Sequence, residues 1–358
     1  MKKTLIRAVS FLVTLSLLTG LLAPLAGAVE YEGVTSLSID AKSALLIDMD
    51  TEQVLYEQAA DEQRYPASIT KIMTALLTLE AVGRGELDLN DVITMDDAAL
   101  ADLTPDSSTA GLQAGEEITV RNLLYCLLLA SANEAANALA IAVAGDIPAF
   151  VEQMNQRAQE LGMSGTHFVN PHGLHSDDHY TTARDIFKMA KQAMTHATFR
   201  EIVSTGTYTV PATNLSGERT LYNTNALLTS AFYPGYTYSG TIGIKTGSTG
   251  QAGYCVTAAS QGSSRPARAK RIFSRTSWVR SYFPARGLSR NRWRTRLPPF
   301  SARRKDLSGR LLNFLQLQEG LSQYLLLCLF PVRLSGPRGR CAAPPGPCGT
   351  RWPPPPPG

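Results

Sequence analysis

Ser68 and Lys71 stand three residues apart in the stretch PASITKIMTALL at 66–77. A serine hydroxyl is a weak nucleophile until a base takes its proton, and a base three residues later on a helix lies on the same face, one turn along. Lys71 can be that base if it is neutral, which burial among its apolar neighbours and a nearby second cation would favour. A serine at the helix start also meets the positive end of the helix dipole. A second set is Ser131-Ala132-Asn133, at a break between two apolar runs. Serine and asparagine are costly to bury without partners, so this pair suits a cleft wall, with Ser131 relaying a proton and Asn133 bonding substrate backbone. A third is Lys245-Thr246-Gly247-Ser248, after an apolar strand. A cation beside a hydroxyl binds a carboxylate, and the glycine lets substrate lie close to the strand. Taken singly, each set has a plainer reading: a capping serine with a snorkelling lysine, an ordinary polar turn, and a hairpin turn.

The elements that must position these residues can be read from periodicity. Residues 43–58 read as two short strands with a turn near Asp50-Thr51. A polar lead-in, DEQRYPAS, opens the helix that carries Ser68 and Lys71. Residues 81–118 are polar and loop-rich. An apolar helix over 116–130 breaks at Ser131 and resumes over 134–145. The next segment is amphipathic and stops at Gly162, and TTARDIFKMAKQAM follows a threonine suited to capping. Residues 241–260 read as strand, glycine-rich turn and strand. Helices between an early and a late hairpin predict a mixed α/β (α+β) domain whose sheet joins both ends of the chain.

Composition divides the 358-residue chain. Residues 1–262 hold 15 Lys+Arg against 28 Asp+Glu, whereas 263–358 hold 19 against 2. Proline rises from 7 before Ser263 to 14 after it. The first residues have the layout of an export signal: Lys2, Lys3 and Arg7, an apolar stretch from about Ala8 to Leu22, then Ala26-Gly27-Ala28. Cleavage after Ala28 and work outside the cytoplasm (periplasm, cell wall or outer face of the cytoplasmic membrane) are expected. Of the five cysteines, Cys126 and Cys255 lie in apolar segments and read as small core residues. No cysteine pair has zinc-ligand spacing. His167, His172, His175 and His179 occupy a polar loop without the helical spacing of a zinc motif, so no metal is expected.

S-x-x-K, S-x-N and K-T-G, in that order on helix, helix break and strand, form the signature of penicillin-recognising serine enzymes. Over about 41–260 the chain resembles the serine-type D-alanyl-D-alanine carboxypeptidases, the low-molecular-mass penicillin-binding proteins. The resemblance rests on ASITKIMTALL, SANEAANALA, THFVNPHGLHSDDHYTTARD and GIKTGSTGQAGYC. It implies a β-lactamase/transpeptidase-like fold: an antiparallel sheet flanked by helices, and a mostly helical lobe. It also implies roles. Ser68 attacks the carbonyl between two D-alanines, Lys71 accepts its proton, and Ser131 protonates the departing D-alanine. Asn133 positions Lys71 and substrate, Lys245 and Thr246 hold the terminal carboxylate beside Gly247, and the N–H groups of Ser68 and Ser248 form the oxyanion hole. The implied substrate is the peptidoglycan stem pentapeptide, the implied inhibitors are β-lactams, and no cofactor is needed. A β-lactamase is the nearest rival, but S-A-N stands where S-D-N is usual there, and no glutamate motif for fast deacylation is evident.

The resemblance fades near residue 261. The expected domain covers 29–262 and is incomplete at its C-terminal side, leaving the K-T-G strand near an uncovered sheet edge. The Arg/Pro-rich tail, 263–358, reads as irregular, the product of a changed reading frame or a disordered extension. Only DLSGRLLNFLQLQEGLSQYLLLCLF within it suits a helix. Its positive charge suits anionic wall polymers or lipid headgroups. Nucleic acid is not an expected partner, since the tail has no recognition module and follows an export signal. A binder that keeps the cleft but turns nothing over is the alternative reading.

Overall fold

The computed structural model describes residues 41–261, apart from 106, 233–236 and 239, together with the backbone of 324–332. The expected leader and most of the tail lie outside the described residues.

The first hairpin forms as expected from β1 (Ala41–Asp48) and β2 (Val54–Gln58). A single 3-10 turn, Ala67–Thr70, leads into α1 (Lys71–Arg84), which stops where Gly85 takes φ 76°. Ile72, Met73, Ala75, Leu76 and Leu79 of α1 are all buried. A helix apolar on nearly every side belongs in the middle of a fold, and α1 is its central rod. The predicted loop-rich stretch includes the end of α1 and two short strands, β3 (Val92–Thr94) and β4 (Glu117–Thr119).

Three helices build the lobe around α1. In α2 (Val120–Leu128), the Thr119 hydroxyl accepts the Asn122 N–H at 3.3 Å. The chain then reverses at Ser131 and enters α3 (Asn133–Ala144), which has no side-chain cap. Asp146 caps α4 (Ile147–Glu160), accepting the Ala149 N–H at 2.7 Å. Such caps satisfy N–H groups that have no partner inside the helix.

Thr182 caps α5 (Ala183–Ala193) as its sequence suggests. Arg184 on α5 donates to Glu57 of β2 at 2.6 Å and to Asp61 at 2.7 Å, fixing the helix to the sheet edge. Then come α6 (Ala197–Ser204), β5 (Thr207–Val210) and β6 (Arg219–Tyr222), none of them foreseen. A wholly buried carboxylate, Glu116, receives Arg219 at 2.6 Å and the Thr213 hydroxyl at 2.8 Å, tying this small hairpin to the lobe.

The predicted late hairpin is β7 (Thr241–Thr249) and β8 (Gly253–Gln261). The five-stranded sheet runs β2-β1-β9-β8-β7, where β9 is Tyr324–Val332. This corrects the expectation of an irregular tail and of a helix over these residues. The backbone of β9 pairs antiparallel with β1 on one side and β8 on the other: Leu327 sits opposite both Leu46 and Ala258. A run of leucines has no period that separates a buried strand from a helix, and two waiting strand edges decide for strand. The edge of β8 is therefore covered, while β7, carrying Lys245, is an edge strand of the sheet.

Candidate active site

Ser68 sits in the 3-10 turn immediately before α1, and Lys71 is the first residue of α1. The shared helical face gives the expected meeting: Lys71 Nζ lies 3.1 Å from Ser68 Oγ. Two further acceptors surround the amine, Asn133 Oδ1 at 2.7 Å and the His172 carbonyl at 2.8 Å. This geometry serves either protonation state. The ammonium donates to all three. The neutral amine donates to Asn133 and His172 and offers its lone pair to the Ser68 hydroxyl, the arrangement a general base requires.

The environment favours the neutral form. Lys71 is completely buried, and its pKa is held well below the ordinary lysine value. Burial is the largest cause and the charge of Lys245 the next, while Glu134 opposes both. Lys245 is buried too, and burial takes it down to about 7. Its Nζ donates to the Thr246 carbonyl at 2.9 Å. The Thr246 hydroxyl shares a 2.6 Å hydrogen bond with that of Thr224, a residue the motifs did not indicate.

β7 approaches Ser68 through Gly247. A Cβ on Gly247 would stand 3.0 Å from the Ser68 backbone N and 3.1 Å from the Pro66 carbonyl. The strand and the Ser68 turn thus touch only because this position has no side chain. Asn133 is free to reach Lys71 because it opens α3 without acting as the cap. Ser131 is buried at the α2–α3 turn, two residues ahead of Asn133. Among the described residues, no side-chain hydrogen bond links Ser131 or Ser248 to Ser68, Lys71 or Asn133. Ser131 and Ala67 both hold positive φ, 62° and 48°. Such backbone is unfavourable for residues with a Cβ, and strain of this kind gathers at functional sites.

Two of the loop histidines, His172 and His179, back the site. Gly173, at φ +92°, packs so closely that a Cβ there would fall 1.9 Å from the Ala67 carbonyl. That approach presents the His172 carbonyl to Lys71. The His172 ring is clamped: Nδ1 accepts the Leu174 N–H at 3.1 Å, which leaves the Nε2–H to donate to Asp102 at 2.8 Å. Burial lowers the pKa of His172, partly offset by Asp102. His179 Nε2 lies 2.8 Å from the Thr70 hydroxyl, and its pKa is pushed down to about 3, mainly by burial. His167 bonds the Asp178 carbonyl, and His175 packs edge-on against Tyr65 with ring centroids 4.6 Å apart.

Asp102, Glu134 and Thr224 went unmarked in the motif reading. For Glu134 a signal existed, an acid at the start of an otherwise apolar helical run. For Asp102 and Thr224 none did, because their roles come from long-range contacts.

A protein-family model described as D-alanyl-D-alanine carboxypeptidase matches residues 30–269. The chain is 39% identical over 228 residues to the D-alanyl-D-alanine carboxypeptidase DacF of Bacillus subtilis, covering 63% of this chain and 56% of that protein. It is 37% identical over 241 residues to the D-alanyl-D-alanine carboxypeptidase of Streptomyces sp. K15, covering 64% and 79%. Against the DacA enzyme of Escherichia coli it spans 55% of the relative's length. Among solved structures, the Streptomyces K15 DD-transpeptidase matches with TM-score 0.55 at 36% identity, over 63% of this chain and 86% of that one. Penicillin binding protein 5 from Haemophilus influenzae matches with TM-score 0.61 at 25% identity, over 84% and 67%.

Proposed function

From a chain that belongs to the D-alanyl-D-alanine carboxypeptidase family, we propose a serine hydrolase that removes the terminal D-alanine from peptidoglycan stem pentapeptides and is acylated by β-lactams. The observation that carries this reading is the Lys71 amine, buried and shared among Ser68, Asn133 and the His172 carbonyl.

Ser68 Oγ attacks the carbonyl carbon of the D-Ala-D-Ala bond as its proton passes to neutral Lys71. The carbonyl becomes a tetrahedral oxyanion, received by the backbone N–H groups of Ser68 and Ser248. The C–N bond then breaks as Ser131 gives its proton to the departing amine and takes the one held by Lys71. A water molecule, losing its proton by the same route in reverse, releases the shortened peptide and restores Ser68. Lys245 and Thr246 bind the terminal carboxylate beside Gly247, and Asn133 orients both Lys71 and the substrate backbone. No step draws on a metal or an organic cofactor.

The same proposal includes export, with a leader removed after Ala28 and a catalytic domain that starts at about residue 29. The pairing of β9 supports counting 324–332 with that domain, beyond the limit at 262 suggested by composition. The positive charge of the tail supports attraction to anionic wall polymer or lipid headgroups.

Benzylpenicillin followed by mass spectrometry tests the reading. One penicilloyl mass on the Ser68 peptide, absent from Ser68→Ala, is expected. No adduct on folded protein would overturn it. A fast-disappearing adduct would point to a β-lactamase, and a stable adduct without D-alanine release from a pentapeptide would point to the non-catalytic binder.

A further inference from the structure

Glu134 follows Asn133 in the first turn of α3 and is wholly buried. A carboxylate in that position needs several donors to be tolerable. Its Oε1 collects the Thr109 hydroxyl at 2.6 Å and the Ala110 N–H at 2.7 Å, with the Leu112 N–H more distant at 3.5 Å. The neighbouring Asn133 N–H donates to the Ser108 carbonyl at 2.9 Å. Glu134 and the Asn133 backbone therefore hold 108–112 against the start of α3, the point from which Asn133 reaches Lys71. The other oxygen, Oε2, is buried with no hydrogen-bond partner among the described residues. Pinning a loop needs only one oxygen, and an amide would supply it. The unpartnered second oxygen leaves part of the carboxylate uncompensated by hydrogen bonds among the described residues.

Resting on the general-base reading of Lys71, we propose that Glu134 is a positioning residue with two effects: it fixes Asn133 against Lys71, and its buried carboxylate, held beside that contact, works against the release of the Lys71 proton. The charged and titratable groups around Lys71 are Lys245 from β7, Glu134 from α3, and His172 and His179 from the loop, with Asp102 behind His172. Lys245 drives Lys71 toward the neutral form, whereas Glu134 favours the ammonium. The charge of Glu134 also reaches the buried Cys126 thiol of α2, as do those of Arg219 and Glu116. A carboxylate inside a low-dielectric site keeps its influence at distances where water would screen it.

The test is the pH profile of acylation by benzylpenicillin in the full-length chain. Glu134→Gln keeps the acceptor oxygen but removes the charge. Lys71 then deprotonates more readily, so the acid limb moves to lower pH. Acylation at a fixed pH on that limb is then expected to be roughly threefold faster. Thr109→Val keeps the charge but removes one pin, and is expected to slow acylation several-fold at every pH without moving the limb. An E134Q limb that stays in place, or moves up, would overturn the proposal while leaving the general-base reading intact. If E134Q does not fold, a T109V rate equal to wild type would overturn it. Absence of any Ser68 adduct in wild type would remove both readings together.

Discussion

Lys245 enters the fold with an ordinary lysine pKa and is taken by burial to about 7. Its protonation therefore differs between folded and unfolded chains over a definite window. From about pH 7 to about 10.5 the unfolded chain binds a proton that the folded one does not, so stability rises with pH through that window. Below about 7 both forms are charged and the burial penalty is fully present. Lys71 acts in the same direction. Urea midpoints for wild type and Lys245→Met at pH 7 and 9.5 should show a rise in wild type that the variant flattens; parallel curves would contradict it. Binding of an anionic substrate has the opposite preference, since the carboxylate needs the ammonium. Acylation is thus expected to decline on the alkaline side of Lys245, and Lys71→Met should lower it by about 10²–10⁴-fold at all pH. Burial also pushes the Cys126 and Cys255 thiols up to about 12. Peptide mapping after iodoacetamide at pH 8 should find both unlabelled in folded protein and labelled after urea.

Each motif reaches the site by the end of a secondary element: a 3-10 turn before α1, the reversal between α2 and α3, and the glycine of an edge strand. Gly247 is the sharpest contact among them. Gly247→Ala would bring a methyl against the Ser68 N, the Pro66 carbonyl and the Ala67 Cβ, all within 3.2 Å. Backbone must give by a few tenths of an ångström, which displaces the oxyanion donors from the nucleophile. Acylation should fall roughly tenfold or more, with the melting temperature little changed. Equal rates would mean that β7 does not close on Ser68 in this way. Elements with strong local signals were legible in the sequence. Thr182 before an amphipathic run and the strand, glycine-rich turn and strand around Lys245 each carried their own evidence. The strands β5 and β6, four residues each, and the eight-residue α6 were not. Segments that short hold too few turns of any period, and their stability comes from partners such as the Glu116–Arg219 pair.

Across the whole molecule, the sheet is closed between β1 and β8 by a strand far along the chain from both. β9 already holds Pro331 near its end, past Leu329, the last of its residues paired with β8, but the middle of a central strand spends its N–H and C=O groups on two neighbours, so a proline there is disruptive. Leu327→Pro should abolish cooperative unfolding and penicillin acylation together, measured by circular dichroism and by the adduct on Ser68. Retention of both would show that β9 is dispensable. The sequence by itself determined which reactive groups are spaced to meet: a hydroxyl and an amine one helical turn apart, a polar break between apolar helices, and a cation beside a hydroxyl on a strand. Those are local spacings, and helix and strand geometry translate them directly into shared faces. Tertiary structure alone decided that Asn133, the His172 carbonyl and Ser68 converge on one amine. It alone placed Glu134 unpaired at one oxygen beside that cluster, and drew Tyr324–Val332 into the middle of the sheet. Each of these is a contact between residues tens to hundreds of positions apart. They depend on which buried polar groups and strand edges find one another, and that information is not periodic in the chain.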